Sequence, residues 1–399
     1  MVFCHFDDSF VAARPRPLAK ISGSSNAAGM SAQEFDILVI GAGMAGASAA
    51  AELATAGRRV ALLEAEEAAG YHSTGRSAAI WILNYGPPDV HVLTGLSRAF
   101  FETPPPGFVD HPLIRRRPVV FLAPPEQSAD LASLLAEGEA VRQIGLDEIA
   151  RAVPALRPDY AVAAAIEDDA FDIDVAALHQ GFLRQFQRQG GRLALSARAR
   201  AMVRTRGLWQ VETADGARFA GPILVNAAGA WGDEVAKSAG VAPLGLTPKR
   251  RTGAIIDPAP YVVADWPLVQ DVVQSWYVRP EARSRLMVTP ADATPTHPHD
   301  VQPDEIDIAI GIDRMQRALA IDVRRVERSW AGLRTFTPDG SLAFGWDPQA
   351  EGFFWCVGQG GYGIQTAPAA GRLVAALVLG QSPGAAGAIL PRIAPRRFA

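Results

Sequence analysis

Cysteine is nearly absent from this chain of 399 residues: only Cys4 and Cys356 occur, with no CxxC pair. That excludes a disulfide framework and a thiolate zinc site, and makes a reducing, cytoplasmic compartment the expectation. Histidine is sparse too, at seven residues. The one cluster, His297-Pro298-His299-Asp300, lies in a proline-rich stretch with no further histidine nearby, so no metal is expected there. Positive charge is not in excess, since 38 Lys and Arg face 42 Asp and Glu for a net charge of −4. No basic face is therefore available to bind nucleic acid by counterion release. Apolar runs stay far below the ~20 residues of a membrane-spanning helix, the longest being Leu373 to Leu379. A Gly-x-Ser-x-Gly elbow and a Cys/His dyad are missing as well, which argues against hydrolase chemistry.

What is present is the composition of a large globular protein: 49% hydrophobic and 20% charged residues. At roughly 150 residues per domain, two to three domains are expected. Residues 1–33 show no period of 2 or 3.6 and read as a disordered leader. Phe10 to Ala13 is too short an apolar run for a secretory signal. Met30 precedes the first strand, so the leader is either an over-long start or a targeting or partner segment.

From Phe35 the pattern sharpens. Ile37-Leu38-Val39-Ile40 is a continuously apolar run suited to a buried parallel strand, and Gly41-Ala42-Gly43-Met44-Ala45-Gly46 follows it. An alanine-rich helix then runs from Ala47 to Ala56, ended by Gly57, before a second buried strand at Val60 to Glu64. This is a β-α-β unit with a GxGxxG turn at the required place. Gly41 permits the tight turn, Gly43 admits a pyrophosphate, and Gly46 lets helix and strand pack closely. Free N–H groups at the helix start face the diphosphate, and Glu64 is placed to accept from a ribose hydroxyl. These features predict a dinucleotide site without separating FAD from NAD.

Further along, proline-rich turns (Pro87-Pro88, Pro104-Pro105-Pro106) alternate with strand-like runs such as Pro118 to Leu122, and a helix is expected from Gln127 to Gly138. Gly221 to Gly229 reads as another buried strand, and Leu244 to Arg328 as mixed strands and loops. Phe353 to Val357 is a strand before the glycine-rich Gly358 to Gly363. A last helix, Thr366 to Gly380, closes the fold.

Several strings resemble the D-amino-acid oxidase / glycine oxidase family of FAD enzymes. They are Gly70-Tyr71-His72-Ser73-Thr74-Gly75-Arg76-Ser77-Ala78-Ala79, Asn226-Ala227-Ala228-Gly229-Ala230-Trp231, Gly332-Leu333-Arg334 with Thr337-Pro338-Asp339-Gly340, and Gln359 to Gln365. The spacing holds from about Asp36 to about Gly380. Within the family the chain looks closest to the bacterial D-arginine dehydrogenase branch, with which it shares the 71–79 string, Pro248 to Arg251 and the Gly-Gly-Tyr-Gly-Ile-Gln string.

The resemblance implies an α/β fold, α+β overall. A Rossmann-like FAD-binding domain would comprise 34–82, 160–243 and 331–390, and a mixed-sheet substrate domain 83–159 and 244–330. It implies noncovalent FAD contacted by Gly41, Gly43, Ala45, Gly46, Glu64, Ala65, the 73–79 segment (Ser73, Thr74, Gly75, Arg76, Ser77, Ala78, Ala79), Gly229, and Gly360, Gly361, Tyr362, Gly363, Ile364 and Gln365. The adenine would lie near Ala199 to Met202. The N-terminus of the last helix either faces the flavin ring or has its glycines for packing alone.

Arg334 lies amid apolar residues, where an unpaired cation would be costly, so it is either a carboxylate anchor or half of a structural ion pair. The family's arginine at this position is the anchor. Arg251 sits in either the pocket or the surface. Tyr277 and Tyr85 match pocket tyrosines, with core packing as the other reading, and Gly361 and Gln365 join the catalytic set. Two departures from the branch stand out: Ile80 replaces a histidine, and Val119 stands where a glutamate would read a cationic side chain. Both suggest a more apolar pocket.

The expected activity is oxidation of the Cα–N bond of a D-amino acid with an apolar side chain, giving an imino acid that hydrolyses to a 2-oxo acid and ammonia. The electron acceptor is left open between oxygen and a quinone-like molecule. Glycine, sarcosine, a cyclic imino acid or a 2-hydroxy acid on the same fold is the alternative, and a flavin-binding redox sensor is the alternative from another class.

Overall fold

The computed structural model describes residues 32–399. The leader expected at 1–33 lies outside these residues up to position 31, and Gln33–Glu34 already pairs with Arg218–Gly221. Ile37–Ile40 lies inside a six-stranded sheet ordered Arg192–Ala194, Val60–Leu63, Ile37–Ile40, Ile223–Asn226, Phe353–Val357, Ala343–Trp346. All neighbours are parallel except the last pair.

Both faces of this sheet are covered, which is why its strands read as unbroken apolar runs. Ile37, Val39 and Leu62 point at the helices Met44–Thr55, Val175–Arg188 and Ala367–Val378. Leu38, Ile40, Ala61 and Leu63 point the other way, onto Met202, Trp209, Val211 and Phe219 of a four-stranded sheet.

An eight-stranded sheet forms the other part of the molecule. Its order is Val326–Phe336, Thr247–Ile256, Arg285–Thr289, Tyr277–Glu281, Leu268–Asp271, Val119–Ala123, Ala163–Glu167, Val141–Ile144. Directly paired residues share a face. One face, with Val120, Val269, Val278, Val288 and Ala254, packs on Met315 and Ala318 of the helix Glu305–Ala318. The opposite face roofs the cavity described below.

Two expected domain boundaries move. Ala163–Glu167 pairs with Val119–Ala123, so it belongs to the eight-stranded sheet rather than with the stretch starting at 160. Val326–Phe336 continues in that sheet past 331.

Three helices have no counterpart in the sequence reading. Pro87-Pro88 is no turn but the entry to the helix Pro88–Glu102, because proline at the first helical position loses no hydrogen bond. The helix buries Val90, Leu93 and Phe101. Val175–Arg188 starts where the Asp174 side chain accepts from Ala177 N at 2.8 Å. Glu305–Ala318 occupies a stretch read as strands and loops. Isoleucines at 306, 308, 310 and 312 imitate a strand's alternation, yet Ile306 is 71% exposed, while Ile308 and Ile312 meet the core with Met315. The spacing that packs is helical.

The helix Ala367–Val378 does not close the chain. Short turns follow to Phe398, and Ile389 and Ile393 return to the core. Among the described residues, no helix is long and apolar enough to cross a membrane.

Candidate functional site

A cavity of about 480 Å³ runs from the carboxyl ends of the parallel strands to the inner face of the eight-stranded sheet. At its first end Ile37–Ile40 gives way to Gly41, whose φ of +99° makes the turn and whose added Cβ would lie 2.6 Å from the Ala227 oxygen. Gly46 packs against the same turn, and a Cβ there would be 1.8 Å from the Gly41 oxygen. Gly43 is different: only Thr74 Oγ1, at 3.4 Å, would touch its Cβ. Its missing side chain therefore serves whatever lies in the cavity.

The helix start is partly satisfied from within. Ala42 N donates to Glu64 Oε2 at 2.8 Å, and Met44 N donates to Thr74 Oγ1 at 2.9 Å. The N–H groups of Gly43 and Ala45 have no partner among the described residues and line the cavity. Glu64 also accepts from Glu66 N at 3.0 Å, and a carboxylate with about four acceptor sites keeps capacity for a hydroxyl. Buried His179 donates from Nε2 to Ala42 O at 2.9 Å; burial depresses its pKa, so the ring is neutral. Nothing in the sequence pointed to this histidine.

At the middle of the cavity lies the turn before the helix Ala367–Val378. The N–H groups of Gly363, Ile364 and Gln365 make no hydrogen bond among the described residues, so a second set of donors faces the cavity. Two N–H clusters joined by one long cavity, with Ala199 and Met202 at its outer end, fit a flavin dinucleotide.

Other expected contacts are occupied. Ser73 Oγ donates to Leu333 O at 2.6 Å. Arg76 donates to Val301 O and Ala331 O, both at 3.1 Å, and pairs with Asp300. Gly46, Gly75 and Tyr362 do not line the cavity. Gly75 N closes a turn onto Gly70 O, and Tyr362 packs edge-on against Tyr85. Gln365 lines the wall with its amide bound to Thr94 Oγ1 at 2.8 Å and to Ile82 N and O. His299 Nδ1 meets the His297 carbonyl oxygen.

The substrate end gathers Arg251, Arg334, Tyr85, Tyr277, Ile80 and Gly361. Arg251 faces Gly332, and Lys249 faces Arg334, across two antiparallel strands, so these side chains share one face. Arg334 donates through Nη1 to Tyr85 Oη at 2.7 Å. Arg251 donates through Nε to Asp292 O at 2.7 Å. Among the described residues neither has a carboxylate within 4 Å, whereas Arg76 and Arg198, which also line the cavity, pair with Asp300 and Glu66. Arg334 thus shows no structural ion pair among the described residues, and Arg251 lines the cavity. Burial and the neighbouring Arg334 charge lower the Arg251 pKa. Burial pulls the Arg334 pKa down, but Tyr85 and Tyr277 more than offset this and hold it above its ordinary value.

Val119 corrects an expectation. It is fully buried, packs with Ile82, Phe121 and Leu268, and lies outside the cavity, so it cannot read a substrate. The wall is instead made by Ile80, Leu268 and Met287, with Gln270 among them. The last three were overlooked, since only the pairing of their strands with Tyr277–Glu281 brings them to this wall. The carboxylates lining the cavity, Glu64, Glu66 and Glu234, follow or pack on the parallel strands, away from this wall.

Residues 36–377 match the family model of FAD-dependent oxidoreductases, DAO. FAD-dependent oxidoreductase domain-containing protein 1 of Bos taurus is 27% identical over 175 residues, 39% of this chain and 35% of that protein. The match thus spans only about a third of this curated relative. Glycine oxidase from Geobacillus kaustophilus has a similar structure, with a TM-score of 0.77 at 22% identity, covering 88% of this chain and 96% of that one. L-α-glycerophosphate oxidase from Mycoplasma pneumoniae, solved with FAD bound, gives 0.78 at 15% identity, covering 87% and 95%.

Proposed function

The chain belongs to the DAO family of FAD-dependent oxidoreductases, and on that premise we propose that it oxidises the Cα–N bond of a D-amino acid. FAD is the cofactor. The observation that carries the substrate reading is the pair of arginines without carboxylate partners, Arg334 and Arg251, beside the N–H groups of the 363–365 turn.

Arg334 spends one N–H on Tyr85 and keeps the rest of its fork for a carboxylate, which it would hold through parallel charge-assisted bonds. That places the α-carbon against the glycine-rich turn, where a side chain on Gly361 would collide with Arg334 Nη1 and Tyr85 Oη, each 2.8 Å away. FAD held by the N–H groups of Gly43, Ala45 and the 363–365 turn would supply the two-electron oxidation that removes the Cα–H. Loss of that hydrogen and one N–H leaves an imino acid, which water converts to a 2-oxo acid and ammonia. The N–H groups of Gly363, Ile364 and Gln365 would favour negative charge on a flavin held against them. An amine that binds neutral needs no side-chain base.

The D configuration rests on the strings shared with the D-arginine dehydrogenase branch. The substrate side chain would have an apolar stem against Ile80, Leu268 and Met287, and a cationic end would be desolvated there without a carboxylate. We further propose that FAD is held without a covalent link. Cys356 is buried with its thiol pushed up to about 12 by burial, and His72 is engaged with Glu66 at 3.1 Å. Two parts cooperate in this reading: cofactor segments within 34–82, 160–243 and 331–390, and substrate segments within 83–159 and 244–330, with the two strand shifts given above.

The test is anaerobic mixing of the holoenzyme with D- and L-amino acids, glycine, sarcosine and 2-hydroxy acids while flavin absorbance is followed. D-amino acids with unbranched uncharged side chains should bleach it fastest. Faster bleaching by L-amino acids or hydroxy acids would overturn the reading.

A further inference from the structure

Gln270 occupies the middle of Leu268–Asp271, hydrogen-bonded on one side to Val119–Ala123 and on the other to Tyr277–Glu281. Its residue is only 4% exposed, it lines the cavity, and its amide makes no hydrogen bond among the described residues. The contrast is the next residue. Asp271, pointing the opposite way, accepts from Ser275 N, Ser275 Oγ and Gln127 Nε2. One polar side chain of this strand is fully partnered; its neighbour has been left open toward the cavity. The amide atoms are not sealed off but open to the cavity, so whatever fills the cavity takes up their hydrogen bonds.

Position adds direction. Gln270 lies opposite Tyr277, Tyr277 opposite Thr289, and the strand carrying Arg251 comes next across the sheet. With neighbouring strands about 4.8 Å apart, Gln270 stands three strand spacings from Arg251. Tyr277 and Met287 stand on the two strands between the carboxylate anchors and the amide, and Leu268 lies beside Gln270 on its own strand. A side chain running from an anchored α-carbon along this wall meets apolar surface first and an amide last.

We infer that Gln270 reads the far end of the substrate side chain, and that the preferred substrate ends there in an uncharged hydrogen-bonding group, best matched by a carboxamide. This rests on the proposed amino-acid activity and names its substrate class. A carboxamide presents one acceptor and two donors to the same set on Gln270, so the pairing can be reciprocal. A carboxylate or ammonium in that place would be desolvated with no opposite charge lining the wall.

The experiment has two readouts on the FAD-loaded protein. The first is kcat/KM for D-glutamine, D-norvaline, D-glutamate and D-ornithine in wild type, Gln270→Leu and Gln270→Glu. Wild type should favour D-glutamine over D-norvaline by about tenfold, about 1.4 kcal/mol. Gln270→Leu should erase or invert that ratio, and Gln270→Glu should move preference toward D-ornithine. The second readout is binding, from the flavin spectrum, of 4-carbamoylbutanoate against pentanoate, neither of which can be oxidised. Tighter binding of the carbamoyl acid, lost in Gln270→Leu, upholds the inference even if no amino acid bleaches the flavin, in which case only the activity reading fails. D-glutamate outrunning D-glutamine, or a Gln270→Leu variant that changes every substrate by one common factor, overturns it.

Discussion

The two ends of the cavity are built from different materials. At the cofactor end the functional groups are main-chain N–H groups of Gly43, Ala45 and the 363–365 turn, and the lining charges of Arg76 and Arg198 are paired. At the substrate end they are side chains on strands: two arginines without carboxylates, two tyrosines and a buried amide. Backbone donors demand glycine and a fixed turn, which leave a local pattern in the chain. Side chains drawn from separate strands demand a register, which leaves none.

The sharpest break between the ends should come from Arg334→Lys. Lysine keeps the charge and loses the fork, so kcat/KM for a carboxylate substrate is expected to fall about 100-fold, roughly 2.7 kcal/mol. FAD affinity should stay within about twofold. Steady-state kinetics with flavin titration measures both, and a proportional loss of FAD would mean the ends are not separable.

Gly43→Ala inverts that outcome. The protein itself offers the new methyl group only Thr74 Oγ1 at 3.4 Å, so the apoprotein should fold with an almost unchanged melting temperature. The dinucleotide has to approach this backbone closely, and its dissociation constant should rise about tenfold, roughly 1.4 kcal/mol. Ultrafiltration of the holoprotein would show the released flavin.

The smallest effect concerns His179, which braces the glycine turn. Its pKa is lowered in the folded chain by burial, so above pH of about 6.5 both folded and unfolded forms are neutral and stability is flat. Below that the unfolded chain takes up the proton first, and stability should fall by up to about 1.4 kcal/mol per pH unit until the lowered pKa is reached. Melting curves between pH 7.5 and 5 should show a steeper slope for wild type than for His179→Gln. Equal slopes would remove the histidine from this account.

The same contrast explains what could be read from the sequence. Gly41, Gly43 and Gly46 announced their strand-turn-helix because Gly41 and Gly46 answer a local steric demand and Gly43 falls at fixed spacing between them. Arg334 was legible from apolar neighbours, since a cation among them needs a reason. Val119 misled because a position counted along one strand says nothing of what lies over it; Ile82 and Leu268 pack against it and close it off. Gln270 went unnoticed because its significance comes from Tyr277 opposite and from the absence of partners, both tertiary facts. Glu305–Ala318 was lost to a coincidence of four isoleucines spaced like a strand.

Arg334 and the glycine-rich turn are tied together through their backbones. Gly360 N donates to Thr335 O at 2.9 Å, one residue beyond the arginine, and Gly361 lies against the guanidinium itself. The anchor and the flavin-facing turn therefore share one origin of coordinates, and thermal excursions of the roof cannot change the distance between them without first breaking that bond. A ligand is in effect gauged from a fixed zero mark. Adding or removing a methylene between carboxylate and amine would shift the reacting carbon by a full bond while the mark stays still. Homologues lengthened in that position, the β-amino acids, should bind as spectators and not react.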